Sequence, residues 1–203
     1  MPFQEISDNN TKHQWGGYPQ DFLKFIYDEV VKNKPIEILE FGTGFGYVTS
    51  ALAMGLRDTP TKIIPRFTKV VKTYDSYKPN NIWQVTDNST DRVKSHLDKY
   101  GISSYVELNQ VGKIVDWFDN PHDFGMCFID IDNDGDKLNE IFNHPIMKSA
   151  VEKGKGIYFC GGSKVRDEIN IKRKEKPITE VDCKIECVYG HTEKSCISKV
   201  VGY

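Results

Sequence analysis

The chain has 203 residues, 38% of them hydrophobic and 12% aromatic, which is enough for one folded domain with its own core. Its formal net charge of −2 gives no reason to expect a nucleic acid or an anionic membrane surface as a partner. No window approaches the roughly 20 apolar residues of a membrane-spanning helix. The first residues do not have the basic-then-apolar pattern of a secretory signal. The odd number of cysteines, five, is typical of reduced thiols, so we expect a cytoplasmic protein.

The first half of the chain alternates helix-like and strand-like segments. Apolar residues recur at helical spacing from Phe22 to Val30 and predict an amphipathic helix that begins at Pro19. The strand that follows is apolar at nearly every position, as a strand buried on both faces should be. The predicted elements after the first helix are a strand at 36–41, a helix at 47–56, a strand at 69–75, a helix at 91–100 and a strand at 105–111.

The second half continues the alternation and then changes at the tail. The predicted elements are a short helix at 115–118, an apolar strand at 125–131, a helix from Leu138 that Pro145 interrupts or restarts, a strand at 156–160 and a basic helix at 163–175. The tail has two strand-like runs, 181–189 and 195–201, with a turn-like segment between them. That pattern predicts a hairpin and not another β-α unit.

The segment from Ile36 to Tyr47 is the most informative part of the chain. An apolar run ends at Glu40, and glycines follow at positions 42, 44 and 46. A strand, a glycine turn and a helix in this order bring bare backbone close to a nucleotide-like ligand. Dinucleotide sites have the spacing Gly-x-Gly-x-x-Gly. Here the third glycine comes one residue early, which argues against the alternative of a nicotinamide-dependent oxidoreductase.

This Glu-x-Gly-x-Gly-x-Gly segment resembles the first motif of class I S-adenosylmethionine-dependent methyltransferases. Five β-α units followed by a hairpin match that family's plan over about residues 19–203. The resemblance implies an α/β, Rossmann-like methyltransferase fold, with a mostly parallel seven-stranded sheet, helices on both faces and a C-terminal antiparallel hairpin. Residues 1–18 would form an N-terminal arm, and residues 19–203 a single S-adenosylmethionine-binding domain.

The same resemblance implies where the cofactor would bind. The glycine turn would face its amino-acid part, and Glu40 matches the acidic residue near its ammonium group. Asp75, at the end of the second strand, would accept hydrogen bonds from the ribose hydroxyls, and Gly112 lies where the adenine ring is met. The candidate cofactor-binding residues are Glu40, Gly42, Thr43, Gly44, Gly46, Tyr47, Asp75, Ser76, Gly112 and Asp130.

The run from His122 to Asp130 resembles the corresponding strand of small-molecule O-methyltransferases of the catechol and caffeoyl-coenzyme A type. There the first Asp binds a divalent cation and a nearby Lys can act as base. Asp130 matches the Asp, but Asn133 stands in place of the Lys. Cys160-Gly161-Gly162 stands where the metal site needs an Asp-Asn pair. One carboxylate with water holds Mg²⁺ weakly, so a divalent metal stays possible but is not favoured, and no metal ligand is assigned.

Asp130 and Asp132 are the candidate catalytic residues. A carboxylate at a partly buried strand end can have its pKa raised toward neutrality, which suits a general base. His122 precedes the strand and is interpreted as a surface residue. Trp15 and Tyr18 are candidate substrate-binding residues, because N-terminal segments in the family often cover the substrate pocket.

The expected function is S-adenosylmethionine-dependent methyl transfer to a small-molecule acceptor, with oxygen as the first guess for the accepting atom. The missing Lys and Asp-Asn pair leave open a protein of this fold that binds the cofactor without transferring the methyl group. A methyltransferase acting on RNA or protein is a further alternative, although an Asn/Asp-Pro-Pro-aromatic motif is absent from the fourth strand. No nucleic acid or membrane partner is expected, and a homo-oligomer stays open.

Overall fold

The computed structural model describes residues 18–60, 69–76, 89–119, 121–131, 133–192 and 195–203. Three of the sequence predictions therefore lie outside the described residues: the N-terminal arm up to residue 17, its candidate substrate-binding Trp15, and the candidate catalytic Asp132. Tyr18, the last residue of the predicted arm, is described.

Six α-helices are present in the described ranges, close to where the apolar periodicity predicts them. The helices are α1 Gln20–Asn33, α2 Tyr47–Asp58, α3 Ser89–Lys99, α4 Gly135–Phe142, α5 Pro145–Glu152 and α6 Lys164–Lys172. The first helix ends because Lys34 takes a left-handed conformation (φ 51°) ahead of Pro35. Within the described part of the chain, none of the helices combines the length and the apolar character needed to cross a membrane.

Seven strands form one sheet, as the sequence predicts. The strands are β1 Glu37–Phe41, β2 Val70–Asp75, β3 Val106–Gln110, β4 Met126–Ile129, β5 Gly156–Cys160, β6 Lys184–Tyr189 and β7 Ile197–Gly202. Their order in the sheet is β3-β2-β1-β4-β5-β7-β6. Strands β1 to β5 pair in parallel, and β7 lies antiparallel between β5 and β6. The mostly parallel sheet with a C-terminal antiparallel hairpin is thereby confirmed.

Alternate residues of each central strand enter two separate cores. In β1, Ile38 packs with the helices α1, α2 and α3, while Leu39 and Phe41 face the core that contains α4 and α5. This alternation follows from the two-residue period of a strand. It confirms that helices cover both faces of the sheet. The loops that follow the parallel strands lie together at the carboxyl ends of those strands, where α/β folds bind ligands.

Candidate functional site at the carboxyl ends of the strands

The glycine turn between β1 and α2 is built from left-handed backbone. The φ angles are 94° at Gly42, 51° at Gly44 and 82° at Gly46. The Gly42 N–H donates to the Tyr74 carbonyl at 2.9 Å, and the Gly46 N–H donates to the Thr43 carbonyl at 2.8 Å. Glycine adopts these angles without the cost that a β-carbon would bring. The turn therefore leads the chain directly from the end of β1 into the first turn of α2.

Gly42 marks the closest approach of two strand ends. A β-carbon built on Gly42 would lie 2.1 Å from the carbonyl oxygen of Asp130, the residue that follows β4. The Asp130 N–H in turn donates to the Phe41 carbonyl at 2.8 Å. The absence of a side chain at position 42 is thus what allows the ends of β1 and β4 to meet.

Gly42→Ala should lower the free energy of unfolding by about 3 kcal/mol, because it adds a backbone clash to a left-handed conformation. Gly154→Ala is the matched control, since Gly154 has a φ of 74° and a β-carbon added there would enter open space. Its expected cost is only about 1 kcal/mol. Urea denaturation of both variants measures the difference, and equal losses would contradict the proposed close approach.

Gly44 faces open space at the same edge of the sheet. Nothing lies within 4 Å of a β-carbon built on it. Its N–H donates to Asp75 Oδ2 at 3.0 Å. The acidic residue at the end of β2 therefore reaches across to the glycine turn after β1. Glu40 and Asp75 lie at one edge of the sheet, as a shared ligand site requires.

Glu40 lies beneath the turn and is fully buried, with 0% of its surface exposed. The Thr49 hydroxyl donates to its Oε2 at 2.6 Å, while Oε1 has no hydrogen-bond partner among the described residues. Burial raises the pKa of Glu40 to about 8; the hydroxyls of Thr49 and Thr73 oppose this shift, and the carboxylates of Asp130 and Asp75 add to it. Glu40 is therefore mostly protonated at neutral pH, and a cation nearby would favour its ionised form.

Asp130 is held at the end of β4 by groups from two other segments. The Tyr18 hydroxyl donates to its Oδ2, and the Cys160 thiol lies beside the carboxylate. Burial raises the pKa of Asp130, while the hydrogen bond from Tyr18 and the neighbouring Cys160 thiol lower it. Burial, followed by the charge of Asp130, raises the pKa of the Tyr18 phenol well above its usual value. Tyr18 therefore stays a hydrogen-bond donor, and its ring stacks on Phe22 with centroids 4.5 Å apart.

Three carboxyl groups thus share one region of the molecule. Glu40, Asp75 and Asp130 lie at the ends of β1, β2 and β4, and β1 is the strand between the other two. The charges of Asp75 and Asp130 raise the pKa of Glu40, and Asp75 also raises the pKa of Asp130. The region therefore attracts a cationic group and repels phosphate.

The other predicted cofactor residues are placed differently. Thr43 is buried and its hydroxyl lies 2.5 Å from that of Thr73. Tyr47 is 7% exposed and its ring packs against His96 of α3, with centroids 5.4 Å apart. The side chains of Thr43 and Tyr47 are therefore largely buried. Ser76 directly follows Asp75 at the edge, and Gly112 is exposed just beyond β3.

The residues near the predicted metal position serve structural roles. Asn133 is 1% exposed, and its Nδ2 donates to the carbonyls of Ile129 at 3.3 Å and Cys160 at 2.7 Å. It therefore ties the end of β4 to the end of β5. Asp134 caps α4 by accepting from the backbone N–H groups of Asp136 and Lys137. No cluster of three or more His, Cys, Asp or Glu side chains that could hold a metal occurs among the residues that the structure describes.

Two residues near Asp130 were not predicted from the sequence. Cys160 ends β5 beside Asp130, and Arg166 lies in the first turn of α6, close enough for its charge to lower the pKa of Asp130. The sequence predicts a basic helix at 163–175 and assigns no site role to Arg166. Its position in the chain could have indicated a site role, because a helix that follows a parallel strand begins at the ligand-binding end of the sheet.

No protein-family model and no curated protein matches the sequence. Many solved structures match the fold. An O-methyltransferase from Bacillus cereus, in complex with S-adenosylhomocysteine (SAH), has a TM-score of 0.63 and 18% identity, with 100% of this chain and 90% of that chain covered. The O-methyltransferase TomG from Streptomyces achromogenes, involved in tomaymycin synthesis and solved with S-adenosylmethionine (SAM), has a TM-score of 0.62 and 16% identity, with 99% and 90% covered.

A ribosomal protein L11 methylase from Lactobacillus delbrueckii subsp. bulgaricus has a TM-score of 0.52 and 15% identity, with 88% of this chain and 74% of that chain covered. At these identities the likeness establishes the fold, which is the class I methyltransferase fold. Two of these neighbours are O-methyltransferases and the third is named for a protein substrate, so the fold alone does not determine the acceptor.

Proposed function

We propose that this protein is a SAM-dependent methyltransferase that acts on a small-molecule acceptor, with oxygen as the accepting atom. The observation that supports it is the convergence of Glu40, Asp75 and Asp130 around a left-handed glycine turn. SAM carries a sulfonium and an ammonium group, which suit this negative region. The pyrophosphate of a nicotinamide dinucleotide would be repelled there, which weighs against the oxidoreductase alternative.

The described residues fit SAM in four respects. Gly44 leaves open space in which the amino-acid part can approach bare backbone. The buried Oε1 of Glu40 lacks a hydrogen-bond partner in the described structure, and a ligand ammonium group would stabilise its charge. Asp75, with Ser76 beside it, would accept hydrogen bonds from the ribose hydroxyls by exchanging its present bond with the Gly44 N–H. Gly112 would lie near the adenine.

The cofactor supplies an already activated methyl group, so the protein's main task is to hold the acceptor in line with it. Asp130 would accept the proton of the acceptor hydroxyl, and its raised pKa suits that task. Tyr18 would orient the Asp130 carboxylate through its hydrogen bond. Asp132 and Trp15 keep their predicted roles in catalysis and substrate binding, and no step depends on a metal.

The competing possibility is a protein of this fold that binds SAM without transferring its methyl group. Asn133 supports this alternative, because it stands where the related enzymes have a Lys base. Its side chain is buried between two strand ends, and an amide cannot act as a base. A macromolecular acceptor has no specific observation in its favour. The two leading functions differ in turnover and not in cofactor affinity.

Isothermal titration with SAH tests the cofactor, and transfer of labelled methyl from SAM to a panel of hydroxylated small molecules tests the reaction. We expect saturable SAH binding and at least one methylated product. Binding without any product would favour the non-catalytic alternative. Failure to bind SAH would refute the proposal as a whole.

Tyr18→Phe should move the rising limb of the pH–rate profile to higher pH and slow methyl transfer at neutral pH by roughly tenfold. The hydrogen bond from Tyr18 lowers the pKa of Asp130, so its removal leaves less of the ionised base at a given pH. The substitution keeps the ring that stacks on Phe22. The affinity for SAH serves as the control and should change little. An unchanged pH–rate profile would argue against Asp130 as the base.

A further inference from the structure

Arg166 carries a partly buried cation whose hydrogen-bonding capacity is not fully used. The Nε atom of its guanidinium group is buried and has no hydrogen-bond partner among the described residues. Its main-chain N–H is used locally and donates to Ser163 Oγ at 3.2 Å. Leaving a buried donor unpaired costs about 1–3 kcal/mol, and more for a charged group.

The position of Arg166 relates it to the candidate site. It lies six residues after Cys160, in the first turn of α6, and its side chain passes beside the left-handed Gly161, where an added β-carbon would lie 3.8 Å from Arg166 Cγ. Its charge acts on both Asp130 and Cys160, yet it forms no ion pair with Asp130 in the described structure. A positive and a negative group therefore lie near one another at the same end of the sheet without a direct ion pair between them.

This inference rests on the proposed function and concerns the acceptor. We propose that Arg166 binds a carboxylate of the methyl acceptor, so that the substrate is a hydroxy acid. A guanidinium group matches a carboxylate with two parallel N–H···O bonds. The Asp130 carboxylate repels that end of the molecule and accepts a hydrogen bond from a hydroxyl. The two residues together would fix the orientation of the substrate, with its anionic end at Arg166 and its reacting hydroxyl at Asp130.

The test compares acids with their methyl esters on the SAH-saturated protein. Lactate, 4-hydroxybenzoate and 4-hydroxycinnamate, each paired with its ester, are titrated by calorimetry into the wild type and Arg166→Gln. For at least one pair we expect the acid to bind the wild type roughly tenfold or more tightly than the ester, in line with a charged hydrogen bond. Arg166→Gln should remove this preference and leave the affinity for SAH unchanged.

Two further variants separate the specific role of Arg166 from charge and folding. Lys172→Gln removes one positive charge from the exposed end of the same helix and should keep the preference for the acid. Arg166→Lys keeps the charge without the two-pronged geometry, so we expect a reduced preference in a folded protein. Equal binding of acid and ester to the wild type, or a preference that survives in Arg166→Gln, would overturn the assignment. Absence of SAH binding by the wild type would instead refute the proposed function itself.

Discussion

Gly44→Val should reduce the affinity for SAH by at least about 100-fold, which corresponds to roughly 2.7 kcal/mol. The β-carbon of residue 44 would enter space that is empty of protein within 4 Å. In the proposed function this space receives the amino-acid part of the cofactor, so the valine methyl groups would occupy the ligand's place. The left-handed φ of 51° also strains the turn that presents its N–H to Asp75. Calorimetric titration with SAH measures the loss.

Gly101→Val is the matched control for this substitution. Gly101 follows α3, has a φ of 64°, and also has nothing within 4 Å of the place that a β-carbon would take. Both variants should therefore lose a similar free energy of unfolding, about 1–2 kcal/mol. Only Gly44→Val should lose SAH binding. Similar affinities in the two variants would show that the glycine turn does not contact the ligand.

Glu40→Gln should change how stability depends on pH. The pKa of Glu40 is about 8 in the folded protein and starts from an ordinary value of 4.5, because the carboxyl group is buried. The folded state thus binds the proton more tightly than the unfolded state. The stability from this group is fully present below pH 4.5 and is lost as pH rises through about 8, at up to about 1.4 kcal/mol per pH unit. The variant lacks this titration. Its free energy of unfolding relative to that of the wild type should therefore increase from pH 5 to pH 8, by a few kcal/mol in total.

Urea denaturation of the ligand-free protein at several pH values measures this difference. Glu37→Gln is the control on the same strand, since Glu37 is partly exposed and pairs with Lys72 at 2.9 Å. If both substitutions changed the pH dependence of the unfolding free energy in the same way, the change would not come from the burial of Glu40. Parallel stability curves for Glu40→Gln and the wild type would mean that the buried carboxyl group does not hold its proton.

The order of helices and strands was predictable because it depends on local patterns. The apolar spacing in α1 and the continuous apolar run of β1 identify those elements without knowledge of their neighbours. The start of the hairpin differs from its prediction, because the sequence predicts strand character from Val181 while β6 begins at Lys184. Residues 181–183 form a bend after a 3₁₀ turn at Ile178–Glu180, and Asp167 accepts hydrogen bonds from the main-chain N–H groups of Ile178 and Thr179. These hydrogen bonds join residues that are far apart in the chain, so no pattern in the local sequence predicts them.

The alternation of helices and strands and the place of the glycine turn could be read from the order of residues, since both follow from hydrophobic period and from the backbone freedom of glycine. Which polar strand ends face one another depended on how the chain packs. Packing buried Glu40, placed the Asp75 carboxylate on the Gly44 N–H, set Tyr18 against Asp130 and left Arg166 Nε without a partner among the described residues. The physical reason is that burial and charge depend on groups far apart in the chain, which come into contact when the sheet assembles.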